Sequence, residues 1–135
     1  MFLSGINYWS IIAASIAAFI LGFIWYSPWL FGKIWAKEMN MTAEEEKKSM
    51  TKTYSIWFLF SLLTSIACAA LLHSLFIVSF GQILFLAIIV WAGFVLATKI
   101  TDVLFGKTSW KLFLVNVGYD LLAIILIFVV VSFFK

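Results

Sequence analysis

Four long apolar stretches separated by short polar ones set the pattern of this chain. The first runs from Ile6 to Ser27 and stops at Pro28, whose ring disfavours helix at the residue before it. The second runs from about Tyr54 to Val78. Ser79-Phe80-Gly81-Gln82 interrupts the pattern, and a third stretch extends from Ile83 to Phe105. Gly106 and Lys107 then turn the chain, Thr108 or Ser109 offers an N-cap, and the fourth stretch, 109–133, ends near Phe133. Each stretch meets the ~20 residues that a helix needs to cross about 30 Å of hydrocarbon. The pattern predicts an all-α integral membrane protein, a single four-transmembrane-helix bundle over residues 1–135.

The one sizeable polar segment, 29–53, follows the first stretch. Trp29 to Lys37 mixes aromatic, aliphatic and lysine residues, as suits a stretch lying in the headgroup interface. Thr42-Ala43-Glu44-Glu45 reads as a capping box, and Glu44 with Lys48 is a favourable four-residue pair. A helix is therefore predicted to begin near Ala43 and to project from the membrane. Thr42–Lys52 offers either a solvated face or a docking element for a membrane or cytoplasmic protein partner.

Charge decides orientation. All the basic residues are lysines: Lys33, Lys37, Lys47, Lys48 and Lys52 follow the first stretch, and Lys107 and Lys111 follow the third. The opposite side has Lys135 and the amino terminus, so the positive-inside rule predicts cytoplasmic loops at 29–53 and 106–108, with both termini outside. The chain begins its apolar stretch without a basic residue, and that stretch is read as a retained span rather than a cleaved leader.

Composition agrees with a lipid solvent. With 65% hydrophobic and 11% charged residues, a soluble domain of 135 residues could not bury its apolar surface. The net charge of +3 sits beside apolar spans and points to the membrane surface, not to nucleic acid. One cysteine, Cys68, and one histidine, His73, make an internal disulfide impossible and a metal or haem site unexpected; no cofactor is implied.

Leu30-Phe31-Gly32-Lys33 recurs as Leu104-Phe105-Gly106-Lys107, each closely followed by a tryptophan, Trp35 or Trp110. Either the chain is two parallel helical-hairpin repeats, or both copies reflect the same boundary chemistry. Small residues recur at four-residue intervals: Ser10, Ala14, Ala18 and Gly22; Ser61, Ser65 and Ala69; Gly93 and Ala97. Close packing of such residues joins helices in lipid, so these stripes are predicted contacts, within the bundle or between copies in a homo-oligomer. Trp9, Trp25, Trp29, Trp35, Tyr54, Trp57 and Trp110 are predicted interface anchors, and Trp91 a core residue.

Polar residues inside the hydrocarbon need a reason. At 1.5 Å per residue, Asp102 falls about 6 Å from the cytoplasmic edge, Lys99 about 10 Å, Asn116 about 12 Å, Asp120 about 18 Å and His73 about 20 Å. Asn116 and Asp120 share a face of the fourth helix, and Lys99 and Asp102 a face of the third. Together the five predict an intramembrane polar path, with Asp120 level with His73 and Lys99 level with Asn116. Asp120 is either a proton-relay group beside His73 or a hydrogen-bonding glue between helices. Asp102 pairs with Lys99 one turn away, or Lys99 snorkels to the interface. No nucleophile motif, phosphate-binding loop or metal-ligand spacing occurs, so the chain offers little for an enzyme.

Asn7-Tyr8, Trp25-Tyr26-Ser27-Pro28 and Leu30-Phe31-Gly32-Lys33, with the later Trp110-Lys111-Leu112-Phe113-Leu114, Asn116 and Gly118-Tyr119, resemble a family of small bacterial membrane proteins. It is known as domain of unknown function seventeen sixty-one. The resemblance covers essentially the whole chain and implies a four-span protein of the bacterial cytoplasmic membrane with no established activity. The resemblance further implies that many relatives carry histidine after the Gly-Tyr pair where this chain has Asp120, and so an ionisable site of either sign. The leading expectation is a small oligomeric transporter-like or channel-like protein. The alternatives are a non-transporting scaffold or accessory protein and a lipid- or quinone-binding membrane protein.

Overall fold

The computed structural model describes residues 7–27, 30–39, 43–77, 79–106 and 108–133, without the side chains of residues 35, 36, 38, 39 and 43–53. The capping box expected at Thr42 and Glu45 lies outside what is described, as do Trp29, Lys107, Lys135 and the Trp35 side chain. Among the described residues every regular element is helical. Four helices are long and apolar enough to cross a membrane: Tyr8–Trp25, Tyr54–Ser74, Phe80–Leu104 and Trp110–Phe133.

Helix α1 is Tyr8–Trp25, entered through Asn7, whose side chain accepts from the Trp9 N–H at 3.0 Å. It ends at Trp25, two residues before the Ser27 end expected, where the Ser27 N–H turns back three residues to the Ile24 carbonyl at 3.2 Å. A short helix, α2 (Gly32–Met39), follows where the interfacial stretch was expected. Helix α3 begins at Ala43 and runs to Ser74, 32 residues. At 1.5 Å per residue that is about 48 Å, well beyond the ~30 Å of hydrocarbon, so its first turns extend past the apolar span.

The end of α3 falls four residues before the expected Val78. Phe76 turns left-handed (φ 54°), and the N–H groups of Phe76 and Ile77 bond back to His73 and Leu72. This is the Schellman closure, which recovers carbonyls that the helix leaves without partners. The third span starts earlier than expected, because Ser79 caps it through Gln82 N–H at 3.2 Å. It has three parts: α4 (Phe80–Val90), a π-helical turn (Trp91–Leu96) and α5 (Ala97–Leu104). Gly106 (φ 76°) turns the chain, and Ser109 caps α6 (Trp110–Phe133) by accepting from Leu112 N–H at 3.2 Å.

The two Leu-Phe-Gly-Lys copies do different work. Gly106 takes the left-handed conformation with open space around it, whereas Gly32 opens α2 with the Tyr26 carbonyl oxygen only 2.2 Å from where a Cβ would sit. One needs glycine for conformation, the other for room. The shared sequence therefore does not take one local geometry in the two places.

Helix α6 is the central element: it packs against α1, α2, α3 and all three parts of the third span. Helices α1 and α3 also pack on each other, which makes a three-helix core with the third span attached along α6. Only 11% of the third span's apolar window is buried, against 44% for α6. The small-residue stripes of α1 and α3 are all buried: Ser10, Ala14, Ala18 and Gly22 on one, Ser61, Ser65 and Ala69 on the other. At their centre the hydroxyls of Ser15 and Ser65 lie 3.0 Å apart, each also within reach of its own helix carbonyl one turn back. Gly93 and Ala97 behave differently. Both are exposed, and a Cβ on Gly93 would meet nothing within 4 Å, so among the described residues this stripe faces outward. Cys68 is buried in the core.

At the end of the bundle nearer the lysine-rich loops, Phe19, Tyr54, Trp57 and Tyr119 form a ring cluster, with Trp57 and Tyr119 centroids 5.8 Å apart. Trp57 is therefore a packing residue, not only an interface anchor. Gly22 makes this possible, since a Cβ there would stand 2.0 Å from Trp57 Cη2. Gly22→Ala is expected to lower stability by about 1–3 kcal/mol, the usual cost of overpacking. Gly81→Ala, in the open first turn of α4, should leave stability unchanged or slightly raised. Reversible unfolding in mixed detergent measures both; equal effects at the two positions would refute the packing role.

Candidate functional site

Two of the segments that carried the family resemblance dock on one another. The indole N–H of Trp25 donates to the Val115 carbonyl at 2.9 Å, and the Tyr26 hydroxyl donates to Asn116 Oδ1 at 2.7 Å. Gly118 leaves the space that the Trp25 ring occupies, with a Cβ there only 3.1 Å from Trp25 Cζ2. Tyr119 sends its hydroxyl the other way, to the Ala18 carbonyl at 2.9 Å, and its ring lies 5.7 Å from that of Tyr26. The Trp-Tyr end of α1 and the Asn-x-Gly-Tyr turn of α6 are thus one clamp. Inside hydrocarbon an indole N–H or phenol O–H without an acceptor is costly, which is why each finds a carbonyl or amide oxygen.

One turn beyond Asn116 on the same face of α6 stands Asp120. The Lys99 ammonium, from α5, donates to its Oδ2, in the one ion pair among the described residues. Asp120 is ten residues into α6, so it lies about 15 Å from that end, while Lys99 is about 8 Å in from Leu104. The four-carbon stem of lysine spans the difference. Lys99 therefore meets Asp120 rather than lying opposite Asn116 or pairing with Asp102. Asp102 is exposed two residues before the end of α5, and its backbone carbonyl accepts from Thr108 N–H at 3.1 Å.

His73 stands apart from this group. The expected depth assumed a span reaching Val78, but α3 ends at Ser74, which leaves His73 exposed in the last turn. Asp120 is about 20 Å from the corresponding end of α6, so the structure does not bring His73 level with it. Four residues make the site: Lys99, Asp120, Asn116 and Tyr26, with Tyr119 beside them. Tyr26 joins through its hydrogen bond to Asn116, one turn from Asp120, and Tyr119 through its ring against that of Tyr26; sequence reasoning had them only as motif residues.

The π turn aims Lys99. Ile83 and Ala87 of α4 are buried against α6, and Trp91 donates its indole N–H to the Val117 carbonyl at 2.8 Å. In an unbroken α-helix Lys99 would stand about 120° round the axis from Ala87. A π turn inserts one residue without advancing the helical phase, which reduces the offset to about 20°. Nothing in the hydropathy pattern signals this turn.

The cluster can hold a charge pair, exchange a proton and bind a small polar group. Among the described residues no group of three or more His, Cys, Asp or Glu side chains could hold a metal, and every buried side-chain polar atom has a partner. The Lys99 and Asp120 side chains keep 44% and 21% of their surface accessible, so the pair is not sealed in the core.

Removing either charge strands the other, so Lys99→Met and Asp120→Leu should each destabilise the bundle, and the double change should recover most of the loss. A double variant whose loss equals the sum of the singles would show that the pair is not coupled. Tyr26→Phe should cost about 0.6–1.7 kcal/mol, the range of hydrogen bonds between helices in lipid, and should cost clearly less in an Asn116→Ala background. Both cycles are read by detergent unfolding.

The chain matches the family described as protein of unknown function (DUF1761) over residues 9–132. No curated protein and no solved structure matches it. The match takes in all four apolar helices but for the first residue of α1 and the last of α6, and both halves of the clamp between them, so this chain is a member of the DUF1761 family.

Proposed function

We propose that this protein is a small transport-type protein of the bacterial cytoplasmic membrane, which works as a homo-oligomer with the Lys99–Asp120 pair as the charge-controlled point of an intramembrane polar path. The observation that carries this reading is the pair itself: two opposite charges held well inside the apolar spans, yet partly accessible. Intramembrane charges that remain accessible mark ion and proton pathways, because lipid exposure without a function is costly. Asn116 and Tyr26 extend the polar strip toward the lysine-rich end, which the positive-inside rule places in the cytoplasm.

Geometry supports the oligomer. The three-helix core of α1, α3 and α6 is filled by packed side chains, so a path runs along the outer side of α6 and is completed by a second copy. The outward stripe of Gly93 and Ala97 offers the close approach that such a contact needs. Asp102 and His73, exposed at opposite ends, serve as entry and exit groups of the path.

The reading is tested in proteoliposomes carrying an imposed pH gradient, with a trapped pH-sensitive dye. Protein-dependent proton flux is expected, reduced more than tenfold by Asp120→Asn and by Lys99→Met, and a few-fold by Asn116→Ala. Native vesicles no leakier than empty ones, across gradients of protons and of monovalent ions, would remove the transport reading. A scaffold role would then take its place, for which the extension of α3 beyond its apolar span is the supporting feature.

A further inference from the structure

The third span is anchored unevenly. Above the π turn it is held by buried Ile83 and Ala87 and by the Trp91 indole bonded to the Val117 carbonyl. Below Trp91 no residue as far as Leu104 is buried, although half-buried Val95 packs on the core, and the side-chain hydrogen bond from this stretch to α6 is Lys99 to Asp120. A π turn is less favourable than α-helix and persists where its surroundings hold it. Here the holding groups are Trp91 and half-buried Val95 within the turn and the ion pair below it, with exposed Gly93 between Trp91 and Val95.

We propose that this π turn is a register switch controlled by the charge of Asp120. With Asp120 charged, Lys99 is bound and the extra residue stays in the π turn. When Asp120 is neutral, the lower clamp is lost and the turn relaxes to α-helix. Residues 97–104 then rotate by about 100°, one residue's worth of helical phase. Thr98, now exposed, takes the place of Lys99 beside α6, and its hydroxyl is a suitable partner for an uncharged carboxyl group. By the same rotation Asp102 replaces the half-buried Val103. The titratable groups that face Asp120 are Lys99 from α5, Tyr26 from the end of α1 and Tyr119 from α6 itself, and α3 adds Trp57 to the same ring cluster. Only Lys99 among them carries a full charge to release.

The switch does not depend on transport. Nitroxide labels attached to single cysteines at position 98 or 103, in a Cys68→Ala background and in lipid, read the rotation by their mobility and oxygen accessibility. In the native charge state the label at 98 should be mobile and that at 103 restrained. Asp120→Asn, which mimics the neutral acid, should exchange the two. Lys99→Gln should do the same and serves if the first variant folds poorly. Deleting Gly93, or Ala92 in its place, removes the extra residue while leaving Lys99 aimed at Asp120; in that chain the labels should no longer exchange. Static labels in both charge variants, or an exchange that persists after the deletion, would overturn the switch. Lost proton flux with static labels would leave the transport reading standing without it, and exchanging labels without flux would do the reverse.

Discussion

Helices in lipid gain nothing from burying apolar surface against each other, so they must be joined by close approach and by hydrogen bonds. In this chain both converge on α6. Trp25 and Trp91 donate to its carbonyls at Val115 and Val117, Tyr26 donates to its Asn116, and its own Tyr119 donates to Ala18 of α1. Glycines set how near the partners come: Gly118 admits Trp25, and Gly22 admits Trp57. The remaining contacts follow from that seam. Once α1 is clamped to α6, the small-residue faces of α1 and α3 meet, and the Ser15–Ser65 contact closes the core without leaving a buried polar atom unpartnered among the described residues.

The third span obeys the same physics with fewer contacts. It touches the bundle along one side of α6 and leaves most of its surface outward, which lipid tolerates because its tails are as apolar as the side chains they meet. Its deepest charge, Lys99, is the exception, since an ammonium at that depth needs a partner or a way out to water. Asp120 supplies the partner, and a single inserted residue of helical phase makes the meeting possible. Position within the membrane, local helix geometry and electrostatics are therefore linked at one point, which is where a functional reading finds most support.

The four spans could be read from hydropathy because crossing hydrocarbon imposes a length and a composition on each helix separately. Gly106, Ser79 and Ser109 as boundary residues were legible in part for the same reason, since a helix end is a local matter. Asp120 and Lys99 also stood out, because a charge in an apolar run is conspicuous whatever it touches. The stripes of small residues announced contact, yet only two of the three are buried, because a stripe has no means of naming its neighbour.

Pairing was beyond the sequence. That Lys99 meets Asp120 instead of Asp102 depends on a π turn whose residues, Trp-Ala-Gly-Phe-Val-Leu, have the composition of any apolar helix. That His73 stays away from Asp120 depends on Phe76 adopting a left-handed conformation that residue type does not announce. What the sequence determined by itself was each helix's residence in the membrane and the cost carried by each polar residue, both properties of a segment in its solvent. The tertiary structure decided which polar groups share that cost, because phase, register and helix ends are set by neighbours that lie far away along the chain.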